Sequence, residues 1–157
     1  MKKRKIIRIL LYIAVIFWMI TIFSLSNMKR DNSEATSKGL LYKIVSITTN
    51  DKDRINETVE KYNIVIRKCA HITEYLILSL LVYLALIYSD VDKNKSMIFT
   101  LIICILYAIS DEIHQLFVPG RGGQIKDVFI DSIGIIISIF FINIRNKSQK
   151  QAKICLK

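Results

Sequence analysis

The chain has 157 residues, one domain's length, and 52% of them are hydrophobic, with one proline and five glycines. The formal net charge is +10; in a water-soluble protein this would point to nucleic acid, but here the excess sits in two short tails flanking apolar segments, which excludes that reading. The apolar residues form four blocks rather than scattering along amphipathic helices or alternating strands, which excludes a water-soluble core of this size.

The first block, residues 6–25, is broken only by Arg8 and follows Lys2-Lys3-Arg4-Lys5. It is too long for a typical signal-peptide core, and Ser24-Leu25-Ser26 only loosely resembles a cleavage site, so a retained helix is expected. Residues 26–63 carry seven basic and six acidic residues. Within them Leu40, Leu41, Ile44 and Val45, and again Ile55, Val59 and Tyr62, recur at helical spacing. One or two short amphipathic helices at the membrane surface are predicted there, the second running on into the next block. The second block is 64–88, the third 97–118 and the fourth 127–144. Blocks of 18–25 residues match a hydrocarbon core of about 30 Å at ~1.5 Å per residue. The stretch Ile98 to Ser110 has no charge on any face. The expected fold is therefore all-α, a bundle of four transmembrane helices forming a single domain.

Five basic residues precede or enter the first helix, and five follow the fourth: Arg145, Lys147, Lys150, Lys153 and Lys157. Basic flanks favour the cytoplasmic side, and four crossings return both ends to one side. Cytoplasmic tails (1–5 and 145–157) then put the loop 26–63 and the turn 118–126 outside. Cys69, Cys104 and Cys155 are odd in number and dispersed, with neither a disulfide framework nor metal-ligand spacing. They read as packing residues or an idle tail thiol.

The charges inside the blocks sort into three stripes. Arg67, His71 and Glu74 are spaced i, i+4, i+7, with Tyr75 beside them. Tyr107, Asp111, His114 and Gln115 share a face of the third helix, with Glu112 on its shoulder. Asp127 and Asp131 open the fourth, and Gly134 and Ser138 continue that stripe with small residues that admit a close neighbour. His71 lies about 6 Å in from Arg67 and Asp131 about 6 Å in from Asp127, so the stripes occupy one layer. Charges at that depth turn inward, where they pair or line a wet cavity. The turn Val118-Pro119-Gly120-Arg121-Gly122-Gly123 exposes backbone, and Arg121 supplies a fork suited to phosphate or carboxylate.

At these residues the sequence resembles the VanZ-like family. The segments that carry the resemblance are Arg67-Lys68-Cys69-Ala70-His71-Ile72-Thr73-Glu74-Tyr75, Ser110-Asp111-Glu112-Ile113-His114-Gln115-Leu116-Phe117-Val118-Pro119-Gly120-Arg121 and Asp127-Val128-Phe129-Ile130-Asp131-Ser132-Ile133-Gly134. The end of the first block, Ile22-Phe23-Ser24-Leu25-Ser26-Asn27, also looks like the family's pattern, and about residues 6–144 are covered. The resemblance implies a bacterial multi-pass protein of the cell envelope, in a family named for its association with teicoplanin resistance. By position the motif residues are His71, Tyr75, Asp111, Glu112, Gln115, Pro119, Arg121, Asp127 and Gly134. Asp131 stands where many members carry Asn.

Three functions compete. A non-catalytic envelope protein would bind a lipid headgroup, a lipid-linked precursor or an amphiphilic antibiotic in an outward-facing polar pocket. Its ligand-binding residues would be Arg67, Tyr75, Asp111, Gln115, Arg121, Asp127 and Asp131. A membrane-embedded headgroup hydrolase or transferase would use His71, Glu74, Glu112 or His114 for acid–base work, with Arg121 stabilising developing negative charge. A helper subunit would use its charges to tie helices or to mark a proton path. No close-spaced ligand pair resembles a metal motif, so neither metal nor cofactor is expected; the partners are the bilayer and an envelope lipid or lipoglycopeptide.

Overall fold

The computed structural model describes residues 2–28 and 30–155, with the side chains of Arg30 and of residues 149–155 outside that description. Lys150, Lys153, Cys155 and Lys157 therefore lie outside the described side chains. Among the described residues the elements are five helices: α1 (Lys2–Ser26), α2 (Arg30–Ser46), α3 (Lys52–Tyr88), α4 (Lys93–Gln115) and α5 (Ile125–Cys155). Four of them, α1, α3, α4 and α5, are long and apolar enough to cross a membrane.

Local chemistry accounts for the boundaries. Asp51 caps α3, its carboxylate accepting from the backbone N–H groups of Asp53 and Arg54 at 3.1 and 3.4 Å. Asp92 caps α4 in the same way through Asn94 and Lys95. Between them Asp90 takes a positive φ of 64°, a conformation that Asp tolerates better than most side chains. At the far end α4 stops at Gln115, three residues short of the sequence-based boundary. Leu116 to Val118 form turns instead, ahead of Pro119, which biases its predecessor away from helix.

α3 is the axis of the molecule and packs against all four other helices. Its core residues Tyr75, Leu78 and Val82 meet Ile22 of α1, Cys104 and Ala108 of α4 and Ile135 of α5. The small-residue stripe of α5 does what its spacing implies. A Cβ on Gly134 would lie 2.1 Å from the Ile72 carbonyl oxygen, so α3 and α5 touch backbone to side-chain-free backbone. One turn further, the hydroxyls of Ser138 and Ser79 pair at 2.5 Å, both buried. Exposed apolar residues such as Leu10, Phe17, Phe140 and Phe141 face outward from the bundle, as lipid contact requires. Of the cysteines with described side chains, Cys104 is a core residue and Cys69 is exposed.

The two ends of the bundle differ. At one, Arg4 bridges Asp90 at 2.6 Å, Tyr12 bonds Ser89 at 3.0 Å and Asn146 donates to Tyr83 at 2.9 Å. The start of α1, the α3–α4 turn and the outer part of α5 thus share this end. At the other end α2 turns back on α3. Leu41 is buried with Ile55 and Val59, Ser37 bonds Asn63, and Lys38 bridges Glu34 at 3.1 Å and Glu60 at 2.6 Å. Both carboxylates hold the exposed Lys38 ammonium above its ordinary pKa, Glu60 most strongly. These pairings run antiparallel, so α2 packs alongside an extension of α3 as a helical hairpin. The expected apolar positions are divided accordingly: Leu41, Val45, Ile55 and Val59 pack inward, while Leu40, Ile44 and Tyr62 stay exposed.

Candidate functional site

The polar residues gather at the hairpin end, where α1 finishes and α5 begins. The face of α4 that carries Tyr107, Asp111, His114 and Gln115 lies against α1. Tyr107 donates to the Met19 carbonyl at 2.6 Å, and the Ser26 hydroxyl donates to Asp111 Oδ2 at 2.6 Å. Gln115 Nε2 reaches the same Asp111 oxygen at 3.0 Å, and the His114 ring sits 4.3 Å from that of Phe23. Asp111 is 3% exposed; its second oxygen has no hydrogen-bond partner among the described residues. An ionised carboxylate so placed requires positive charge or donors nearby.

α3 and α5 supply the facing wall. Lys68 is ion-paired with Asp127. His71 Nδ1 is 3.5 Å from Glu74 Oε2 and 3.9 Å from Asp131 Oδ1, near enough for charge attraction but too far for a hydrogen bond. Asp131 is 1% exposed, Tyr75 is 0% exposed, and the Asp131 Oδ2 and Tyr75 hydroxyl oxygens are unpartnered among the described residues. Replacing Lys68 by Gln or Asp127 by Asn is expected to cost about 1 kcal/mol each. The double variant should cost less than both together, as a double-mutant cycle of thermal unfolding would show.

The loop between α4 and α5 closes the top. Gln124 donates its backbone N–H to Glu112 Oε2 at 2.9 Å, and Gly123 presses against the Glu112 carbonyl, where a Cβ would come within 2.3 Å. That pinned loop aims Arg121 back across the bundle, where Nη2 donates to the Leu25 carbonyl at 3.4 Å. Arg121 is half-buried, and Nε is unpartnered among the described residues. Burial, and after it the positive charge of Arg67, push the Arg121 guanidinium below its ordinary pKa. Arg67, one wall away, makes neither hydrogen bond nor ion pair among the described residues.

Between these groups lies a polar cleft of about 260 Å³ bordered by Arg67, Lys68, His71, Gln115, Arg121 and Asp127, together with Ile64, Gly120, Gly122 and Gln124. Of the residues singled out from sequence, the structure brings Arg67, His71, Gln115, Arg121 and Asp127 to the cleft. Asp111 and Asp131 lie buried beneath it, with Tyr75 in the core between helices. Glu74 borders an adjoining space. Glu112 lines a separate apolar groove between α4 and α5, and His114 stacks on α1, so neither borders the cleft. Sequence reasoning missed Lys68 and Gln124 as lining residues and Ser26 as the Asp111 donor. Ser26 lies in the Ser24-Leu25-Ser26-Asn27 segment, which already stood out, and Lys68 is one turn before His71. Nothing in sequence spacing brings Gln124 to the cleft. Among the described residues no group of His, Cys, Asp or Glu is arranged to hold a metal ion.

No curated protein and no solved structure matches this chain. The family model VanZ/LLP1 matches residues 9–146, a stretch that contains all four membrane-length helices in whole or in greater part and every residue lining the cleft. The chain is a multi-pass membrane protein and belongs to the VanZ/LLP1 family.

Proposed function

We propose that this protein is a non-catalytic component of the bacterial cell envelope, and that its cleft binds the anionic headgroup of a lipid, a lipid-linked precursor or an amphiphilic antibiotic. In this reading both termini are cytoplasmic, because both tails are basic, and the cleft opens outward beside the hairpin. One observation carries the proposal: Arg67 and Arg121 converge on a single half-buried cleft, and neither forms an ion pair among the described residues. Two guanidinium groups held close together repel each other and lose hydration, a cost that a shared anion offsets. Lys68 adds a third cation whose charge Asp127 already balances.

Purified protein in amphipol should therefore bind glycerol phosphate. Arg121→Gln should weaken that binding roughly ten- to a hundredfold, the worth of one charge-assisted hydrogen bond to a phosphate. In cells, deleting the protein should raise susceptibility to teicoplanin more than to a non-lipidated glycopeptide, and Arg121→Gln should fail to restore the difference. Equal responses to both antibiotics would sink the antibiotic part of the proposal. The orientation is checked separately by a cysteine replacing Ile47, which is 87% exposed in the hairpin turn. An impermeant thiol reagent applied to intact cells should label it.

A second reading, a headgroup hydrolase or transferase, is favoured by the proximity of His71 and Glu74 to the two arginines. It would use that pair for acid–base work, since Glu112 is engaged by the Gln124 N–H and His114 by the Phe23 ring. Lipid extracts from cells expressing wild type and His71→Gln should then differ in headgroup composition.

A further inference from the structure

Beside the cleft, and sharing Arg67, His71 and Arg121 with it, lies a second space of about 210 Å³. It differs in character. Leu25 at the end of α1, Met28 just past it, Leu40 on α2, and Ile66 and Ala70 on α3 supply a largely apolar wall, interrupted by the hydroxyls of Ser33, Thr36 and Ser37 and by Glu74. Leu25 and Leu40 are 42% and 53% exposed, so the groove opens sideways where α1 ends and α2 begins. An apolar groove between α4 and α5 borders neither arginine. The cationic wall is thus shared by one polar and one apolar chamber, the division that an amphiphile with one charged end requires.

We infer that the ligand of the cleft is a phosphate-bearing amphiphile whose hydrocarbon chain leaves through the groove between α1, α2 and α3. The inference rests on the headgroup reading above and adds to it the ligand's second half and its path. The guanidinium groups hold the phosphate between the chambers, and the methylenes nearest the headgroup lie against Leu25, Leu40 and Ala70. Such a ligand passes from the bilayer to the cleft by lateral movement, with its charge never crossing the apolar bundle.

The test titrates amphipol-held protein with butyl and decyl phosphate, each below its micelle concentration. Decyl phosphate should bind on the order of tenfold or more tightly, since each methylene taken from water contributes up to about fourfold. That gain should vanish in Ala70→Trp and in Leu40→Trp, which fill the groove, and persist in Ile109→Trp, which fills the groove between α4 and α5. In wild type, a decyl phosphate with a mid-chain diazirine should label residues 25–28, 33–40 and 66–74. If neither phosphate binds wild type, the headgroup reading itself fails. If butyl phosphate binds but the longer chain adds nothing, or if the label lands on α4 and α5, the groove is overturned while the headgroup reading stands.

Discussion

Gly134→Ala is expected to destabilise this protein by about 1–3 kcal/mol or more, although it adds a single methyl group. The new Cβ would lie 2.1 Å from the Ile72 carbonyl oxygen and 3.0 Å from both the Ile72 carbonyl carbon and the Leu76 nitrogen. All three are backbone atoms of α3, so no side-chain rotamer can relieve the overlap, and α5 must move away as a unit. That movement would pull Ser138 off Ser79 and Asp127 off Lys68, so the loss spreads along the whole contact. Gly39→Ala is the matched control. Nothing lies within 4 Å of its would-be Cβ, and in the interior of α2 alanine should gain about 0.5–1 kcal/mol. Thermal unfolding followed by size-exclusion chromatography separates the two, and a Gly134→Ala protein as stable as wild type would refute the close approach of α3 to α5.

The second large effect is at Tyr75, where two substitutions should go opposite ways. Tyr75→Ala empties a fully buried site between α1, α3, α4 and α5 and should cost about 3–5 kcal/mol. Tyr75→Phe keeps the ring and its packing against Tyr107, 6.3 Å away. It removes a hydroxyl that has no partner among the described residues, so stability should stay level or rise, because a buried unmet hydroxyl costs about 1–3 kcal/mol. If that hydroxyl serves the ligand, the Phe variant will be stable yet will lose phosphate binding. A Phe variant that unfolds more readily than wild type would instead show that the hydroxyl is satisfied in the folded protein and has a structural part.

These contrasts bear on what could be read from sequence. The bundle was legible because apolar length has a single physical reading at this scale, and the stripe Asp127, Asp131, Gly134 and Ser138 was legible because helical period alone puts those residues on one face. The same period placed Tyr107, Asp111, His114 and Gln115 together, and that face does lie along α1. Spacing says which residues share a face, but not which neighbour that face meets. Glu112, on the shoulder of its stripe, turns to the α4–α5 loop and caps Gln124, and His114 spends its ring on Phe23. The lining role of Gln124 depends on loop geometry, which carries no periodic signal. The pairing of α2 with α3 was hidden for a similar reason: the apolar spacing around Leu41 and Val45 fits a membrane surface as well as it fits another helix.

The length of α3 has a mechanical side. Its 37 residues form one unbroken helix of about 55 Å, against a hydrocarbon core of about 30 Å. The helix that carries Ile55 and Val59 near one end also carries Arg67, His71 and Tyr75 further along, with α2 packed against its first part. One continuous backbone thus joins the hairpin to the cleft wall, with Arg67 about 18 Å along the axis from Ile55.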